Sequence, residues 1–120
     1  MSRRNSVQSL PMIEIDTSKL GEFPFVVYPE EGLPFSCFCM RYINKSDHDV
    51  AISYDNGVTK HDIVLANQTV QLNFGDNIME ALMGSVGMLC GGTKLTVMLH
   101  EKGPAKGSFY IVGYYFMPGR

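Results

Sequence analysis

The stretch AISYDNGVTKHDIVLANQTVQLNFG, residues 51–75, decides the fold class. Val50, Ile52 and Tyr54 alternate with Ala51 and Ser53, a period of two that belongs to a strand. Asp55, Asn56 and Gly57 tolerate positive φ, so the chain reverses there as a hairpin, and the return strand runs from Val58 to about Leu65. Residues 66–68 (ANQ) make a second tight connection. Residues 69–74 then alternate again, with Val70, Leu72 and Phe74 inward and Thr69, Gln71 and Asn73 outward.

Outward from this stretch the same pattern continues. MIEI (12–15) alternates as a short strand. FPFVVY (23–28) is aromatic and β-branched, but Pro24 withholds a backbone donor, which marks an edge strand or a strand start. FSCFCMRYI (35–43) is apolar on both faces until Arg41, as expected of a strand in the middle of the structure. NKSDHD (44–49) reads as a polar turn, TKLTVMLH (93–100) as a period-two strand, EKGPAKG (101–107) as a hairpin loop and SFYIVGYYF (108–116) as a closing strand. In residues 75–92, Asn77 caps a short helix that Gly84 and Gly87 cut off, so at most one short helix is expected, around 77–84. The expected fold is all-β: an antiparallel β-sandwich or jelly-roll-like barrel of six to eight short strands. Residues 1–11 are polar, without periodicity, and read as a flexible N-terminal arm ahead of a single domain, 12–120.

Composition narrows the function classes. With 45% hydrophobic and 18% charged residues, the 120-residue chain suits one folded core. A net charge of −2 gives no electrostatic reason to expect a nucleic-acid groove or an anionic membrane surface as partner. The apolar runs fall far short of the roughly 20 residues that span a bilayer, and MSRRNSVQSLPMIEID has no apolar h-region of a signal peptide. Three cysteines, an odd number with Cys37 and Cys39 two apart, argue against a disulfide framework and for folding in a reducing cytosol.

Candidate sites are weighed on spacing. Asp47 and Asp49 share one strand parity and His48 has the other, while His61 and Asp62 point to opposite faces. A cupin-like metal site would need His48, His61 and His100 to meet across strands; the plainer expectation is solvated positions beside turns. Cys37 and Cys39 share a face, about 7 Å apart by the strand rise. Zinc would need two further ligands, so small buried side chains of a central strand are expected. GSVGMLCGG has the glycines of a phosphate loop without its Gly-Lys-Ser/Thr ending. Glu30 and Glu31 sit in a Pro/Gly loop and read as solvated. No catalytic residue, cofactor or metal is expected.

The aromatic positions say more. Six tyrosines and seven phenylalanines are few enough to fill a single core, but the last strand asks for more. Phe23, Phe25 and Tyr28 lie on an early strand, and Tyr110, Tyr114, Tyr115 and Phe116 on the last. Bulk on both parities of the last strand means that one face is core and the other needs a cover. That cover is either a subunit contact or the chain's own Met-rich segment, 78–90. Exposed tyrosines also suit a carbohydrate-binding surface.

VAISYDNGVTKHDIVLANQTVQLNFGDN, GGTKLTVML and GSFYIVGYYF, over residues 42–116, resemble small all-β virion proteins of tailed bacteriophages. Asn56, inserted in the Asp-Gly turn, and the longer, Met-richer segment 77–92 depart from that pattern. The resemblance implies a non-enzymatic head-decoration, neck or head-to-tail joining protein, made in the host cytoplasm and located in the virion. Its partners would be capsid, portal or tail proteins and copies of itself, with Arg3, Arg4, Phe23, Phe25, Tyr110, Tyr114 and Tyr115 as contact residues. The rival expectations are a β-sandwich module for carbohydrate or another small ligand and, behind it, the cupin-like metal enzyme.

Overall fold

A computed structural model describes residues 6–20, 24–73 and 89–117. Two antiparallel sheets pack as a sandwich, and the helical content of the described residues is one 3-10 turn, Thr17–Lys19. The strands are β1 (Ser6–Ser9), β2 (Ile13–Asp16), β3 (Phe25–Val26), β4 (Cys39–Ser46), β5 (Val50–Ser53), β6 (Asp62–Val64), β7 (Thr69–Asn73), β8 (Thr96–Leu99) and β9 (Gly107–Met117).

In the larger sheet, β9 lies between β4 on one side and β1 and β2 on the other, and β7 completes the far edge of β4. β1 and β2 follow one another along the same edge of β9, and their registers differ by one residue. Leu10, Pro11 and Met12 therefore oppose only Val112 and Gly113, a bulge placed where Pro11 has no N–H to give. Part of the expected flexible arm is thus strand: Ser6–Ser9 pairs with β9, and Leu10 is buried and donates to the Gly113 carbonyl at 2.8 Å. The polar sequence hid this because an edge strand needs few apolar side chains. The smaller sheet has the order β3-β8-β5-β6, with β3 at an edge as Pro24 suggests.

Between the sheets, Met40, Tyr42, Phe109 and Ile111 meet Val50, Ile52, Val64 and Val97, all of them at most 1% exposed. Alternation holds along β4, where Met40, Tyr42, Asn44 and Ser46 are buried while Arg41 and Lys45 are exposed. Its central place in the sheet agrees with the sequence reading, although the strand starts at Cys39 and Cys37 forms an isolated bridge to Leu89. In β5 all four residues are buried. Ala51 and Ser53 are small enough to be covered by neighbours, and Ser53 is capped by the turn that follows it.

Three sequence expectations need correction. EKGPAKG is no hairpin, since β8 and β9 lie in different sheets and the loop is a crossover. A polar Gly/Pro cluster marks a reversal equally well in either geometry. NKSDHD is not all turn either: β4 runs on to Ser46, with Asn44 and Ser46 buried. The return strand after DNG is only Asp62–Val64, because residues 55–60 are occupied by the turn. The DNG reversal itself is a true β5–β6 hairpin, with Asn56 and Gly57 at φ 60° and 90°. The short helix expected around 77–84 lies outside the described residues.

Candidate functional site

The outer face of the larger sheet follows from alternation. In β9, Phe109 and Ile111 point into the core, so Ser108, Tyr110, Val112 and Tyr114 point away from it. Register sets their neighbours: Tyr110 stands between Glu14 and Ile43, Val112 beside Arg41, and Tyr114 between Ser9 and Cys39. The outer rows of β7 add Thr69, Gln71 and Asn73. Tyr110 and Tyr114 are half-buried, and Val112, flanked by them, is 6% exposed. The Glu14 carboxylate accepts from Tyr110 OH at 3.3 Å and from Ser108 Oγ at 3.2 Å, which holds the first tyrosine against the sheet. Burial raises the Cys39 thiol pKa, and Arg41 beside it pulls the other way.

Of the contact residues expected from sequence, Tyr110 and Tyr114 come together on this face. Tyr115 does not join them: it lies on the core side, its ring stacked on Phe35 with centroids 4.3 Å apart. Phe25, 45% exposed, sits at the rim of a cleft of about 540 Å³ lined also by Glu14, Asp16, Lys19 and Ser108. Arg3, Arg4 and Phe23 lie outside the described residues. Ile43, Val112, Arg41, Lys45, Glu14 and Asp16 also belong to the face and were missed. The signal was available, since each alternates with a core residue in CMRYINK, MIEID or FYIVGYY.

The histidines occupy three separate settings. His48, at the β4–β5 corner, has Nδ1 2.8 Å from Asp47 Oδ1. His61 accepts the Tyr54 N–H on Nδ1 at 3.1 Å, and Nε2 stands 4.0 Å from Asp55. His100 follows β8 and is approached by Lys60, whose Nζ lies 3.5 Å from Nδ1. Among the described residues no three His, Cys, Asp or Glu side chains are grouped to hold a metal ion. Cys37 and Cys39 are both buried, but they do not share a face of one strand as the sequence suggested. Cys37 precedes β4 and packs in the core, while Cys39 lies on the outer face beside Tyr114; burial pushes the Cys37 thiol up to about 11.

Ser53, Asp55 and His61 lie close together, but in the wrong order for nucleophile activation. There the imidazole must stand between hydroxyl and carboxylate. Here Ser53 Oγ donates directly to Asp55 Oδ1 at 2.6 Å and accepts the Gly57 N–H at 2.9 Å, while fully buried. The cluster braces the DNG turn. A second polar chain joins the sheets: Tyr54 OH donates to Asp62 at 2.9 Å, which leaves Tyr42 to donate to Tyr54 at 2.7 Å. Burial raises the pKa of both phenols, so they stay protonated and keep this linkage.

Comparison of the chain with protein-family models, with curated proteins and with solved structures finds no match.

Proposed function

We propose that the chain is a structural protein of a tailed-bacteriophage virion, in a head-decoration, neck or head-to-tail joining position, working through subunit contacts and not through catalysis. The observation that carries the reading is the row Tyr110, Val112 and Tyr114 on the outer face of the larger sheet, with Ile43 beside it, a face that no strand of the described residues packs over. Aromatic and aliphatic side chains concentrated on one flat face mark an interface better than apolar residues scattered singly. The strand-and-turn succession over residues 42–116, with its tyrosine-rich finish, supports the virion setting. Made in the host cytoplasm, the protein would join copies of itself and capsid, portal or tail proteins.

Size-exclusion chromatography with light scattering is the test. A ring or higher oligomer is expected, together with binding to capsid or neck components encoded beside it. A strict monomer at high concentration, with no affinity for those components, contradicts the reading.

One observation favours a second reading, a module for carbohydrate. The cleft beside Phe25 combines an exposed ring with the carboxylates of Glu14 and Asp16, an apolar platform next to hydroxyl acceptors. A glycan array separates the two: binding that is lost in Phe25→Ala supports the module, and an empty array removes it.

A further inference from the structure

The outer face of the larger sheet is divided electrically. Read across the ladders, Asp16, Ser108 and Lys45 form one row, Glu14, Tyr110 and Ile43 the next, and Val112 and Arg41 the third. Both acids therefore stand one strand to one side of β9, and both bases one strand to the other. Two strand spacings put the stripes about 10 Å apart, too far to pair within one molecule. Accordingly, the ion pairs found among the described residues involve histidines, not Arg41 or Lys45. Arg41, Lys45, Glu14 and Asp16 are all exposed. Lys19 lies beyond the end of the acidic stripe, near Asp16.

We infer that the occupant of this face is a second copy of the chain, packed face to face about a two-fold axis that runs along β9. Rotation about that axis lays the acidic stripe of each copy over the basic stripe of the other, on both sides at once, and the tyrosine row over the tyrosine row. An in-plane axis across the strands would set acid on acid and base on base. The pattern of signs thus selects one arrangement, an isologous contact whose specificity comes from charge. Four strands at about 4.8 Å by seven residues at about 3.3 Å give a flat footprint of roughly 450 Å² on each copy. A standard stable interface uses about 800 Å² per partner. Alone, then, this contact makes a weak, salt-sensitive pair, and it gains strength where neighbours hold copies together. The inference rests on reading the chain as an assembling protein, and it names the face and the partner.

Complementation by charge tests it. One variant, Arg41→Glu with Lys45→Glu, makes both stripes negative. The other, Glu14→Lys with Asp16→Asn, makes the acidic side positive and keeps an acceptor for the Ser18 N–H that Asp16 now caps. Sedimentation velocity at low ionic strength, with far-UV circular dichroism to verify folding, follows each variant and their equimolar mixture. Wild type should pair and dissociate in high salt; each variant alone should pair at least about tenfold more weakly, and the mixture should recover a one-to-one pair. Folded variants that associate as wild type does overturn the inference while leaving assembly through another face intact. Mixed variants that pair no better than either alone overturn it too. A wild type that stays monomeric throughout overturns the inference, and it removes the reading beneath it as well only if the protein also fails to bind capsid or neck components.

Discussion

Gly32 and Gly57 both hold positive φ, 78° and 90°, in different surroundings. A Cβ on Gly57 would meet nothing closer than 3.7 Å, whereas one on Gly32 would overlap the Gly92 carbonyl. Gly57→Ala should cost the left-handed strain alone, about 1–2 kcal/mol. Gly32→Ala adds a backbone clash and should cost about 3 kcal/mol or more. Urea unfolding of the two variants checks the order; equal losses would contradict it. The contrast also shows what can be read locally. The DNG and ANQ reversals were legible because the residues at positive φ, Asn56 and Asn67 at 60° and Gly57 at 90°, are themselves types that tolerate it, asparagine by its short polar side chain and glycine by having no Cβ. The requirement at Gly32 comes from a segment sixty residues away in the chain, and no neighbouring residue announces it. Gly113 is similar: a Cβ there would stand 3.0 Å from Cys37 Sγ and 3.1 Å from Met40 Sδ, a fit set by the meeting of β9 with β4.

Strands were legible where alternation met a half-buried sheet, and connections were not. Whether a polar stretch turns back within a sheet or crosses to the other depends on distant partners, and NKSDHD shows how. Asn44, fully buried, donates through Nδ2 to the carbonyls of His48 and Val64, both at 2.9 Å, and its Oδ1 accepts from Ser46 N and Oγ. Asp49 accepts the Ala66 N–H at 2.9 Å, and Asp47 accepts the Lys106 N–H at 2.8 Å. The crossovers β4–β5, β6–β7 and β8–β9 are therefore fastened together by one hydrophilic hexapeptide. Asn44→Ala leaves several buried groups unpaired and should cost about 3 kcal/mol or more in a denaturant titration. A loss below about 1 kcal/mol would show that the fastening is redundant.

The same corner sets a pH dependence. The Lys106 N–H and then His48 hold the Asp47 carboxyl below its usual range, and Asp47 holds His48 above the usual imidazole value. A raised histidine pKa contributes stability below about pH 6.5, lost as pH rises through the folded-state value. A lowered carboxyl pKa contributes above about pH 3.9, lost as pH falls. The corner is thus tightest between those limits. An NMR titration should find the His48 pKa raised in wild type and returned toward the ordinary value in Asp47→Asn; no change between them would break the coupling.

At the scale of the whole molecule, the sandwich buries one side of each sheet and leaves the other to be explained. The sequence placed bulk on both parities of the last strand and so anticipated an outer row. It could not place Tyr115, whose stacking on Phe35 depends on how the 29–38 loop returns to the sheet. Nor did it assemble the charged stripes, because Glu14 and Arg41 become neighbours of β9 only through pairings with Tyr110 and Val112, 96 and 71 positions further along the chain. Once register is known, the face reads as one surface: tyrosines and aliphatics along the middle, opposite charges at the flanks. Hydroxyl-radical labelling of Tyr110 and Tyr114, read by mass spectrometry in dilute and in concentrated solution, asks most directly whether copies cover it. His61, exposed on the smaller sheet's side, is the reference. Labelling of both tyrosines should fall with concentration while His61 stays constant; tyrosines labelled equally at every concentration at which the protein associates would contradict the account.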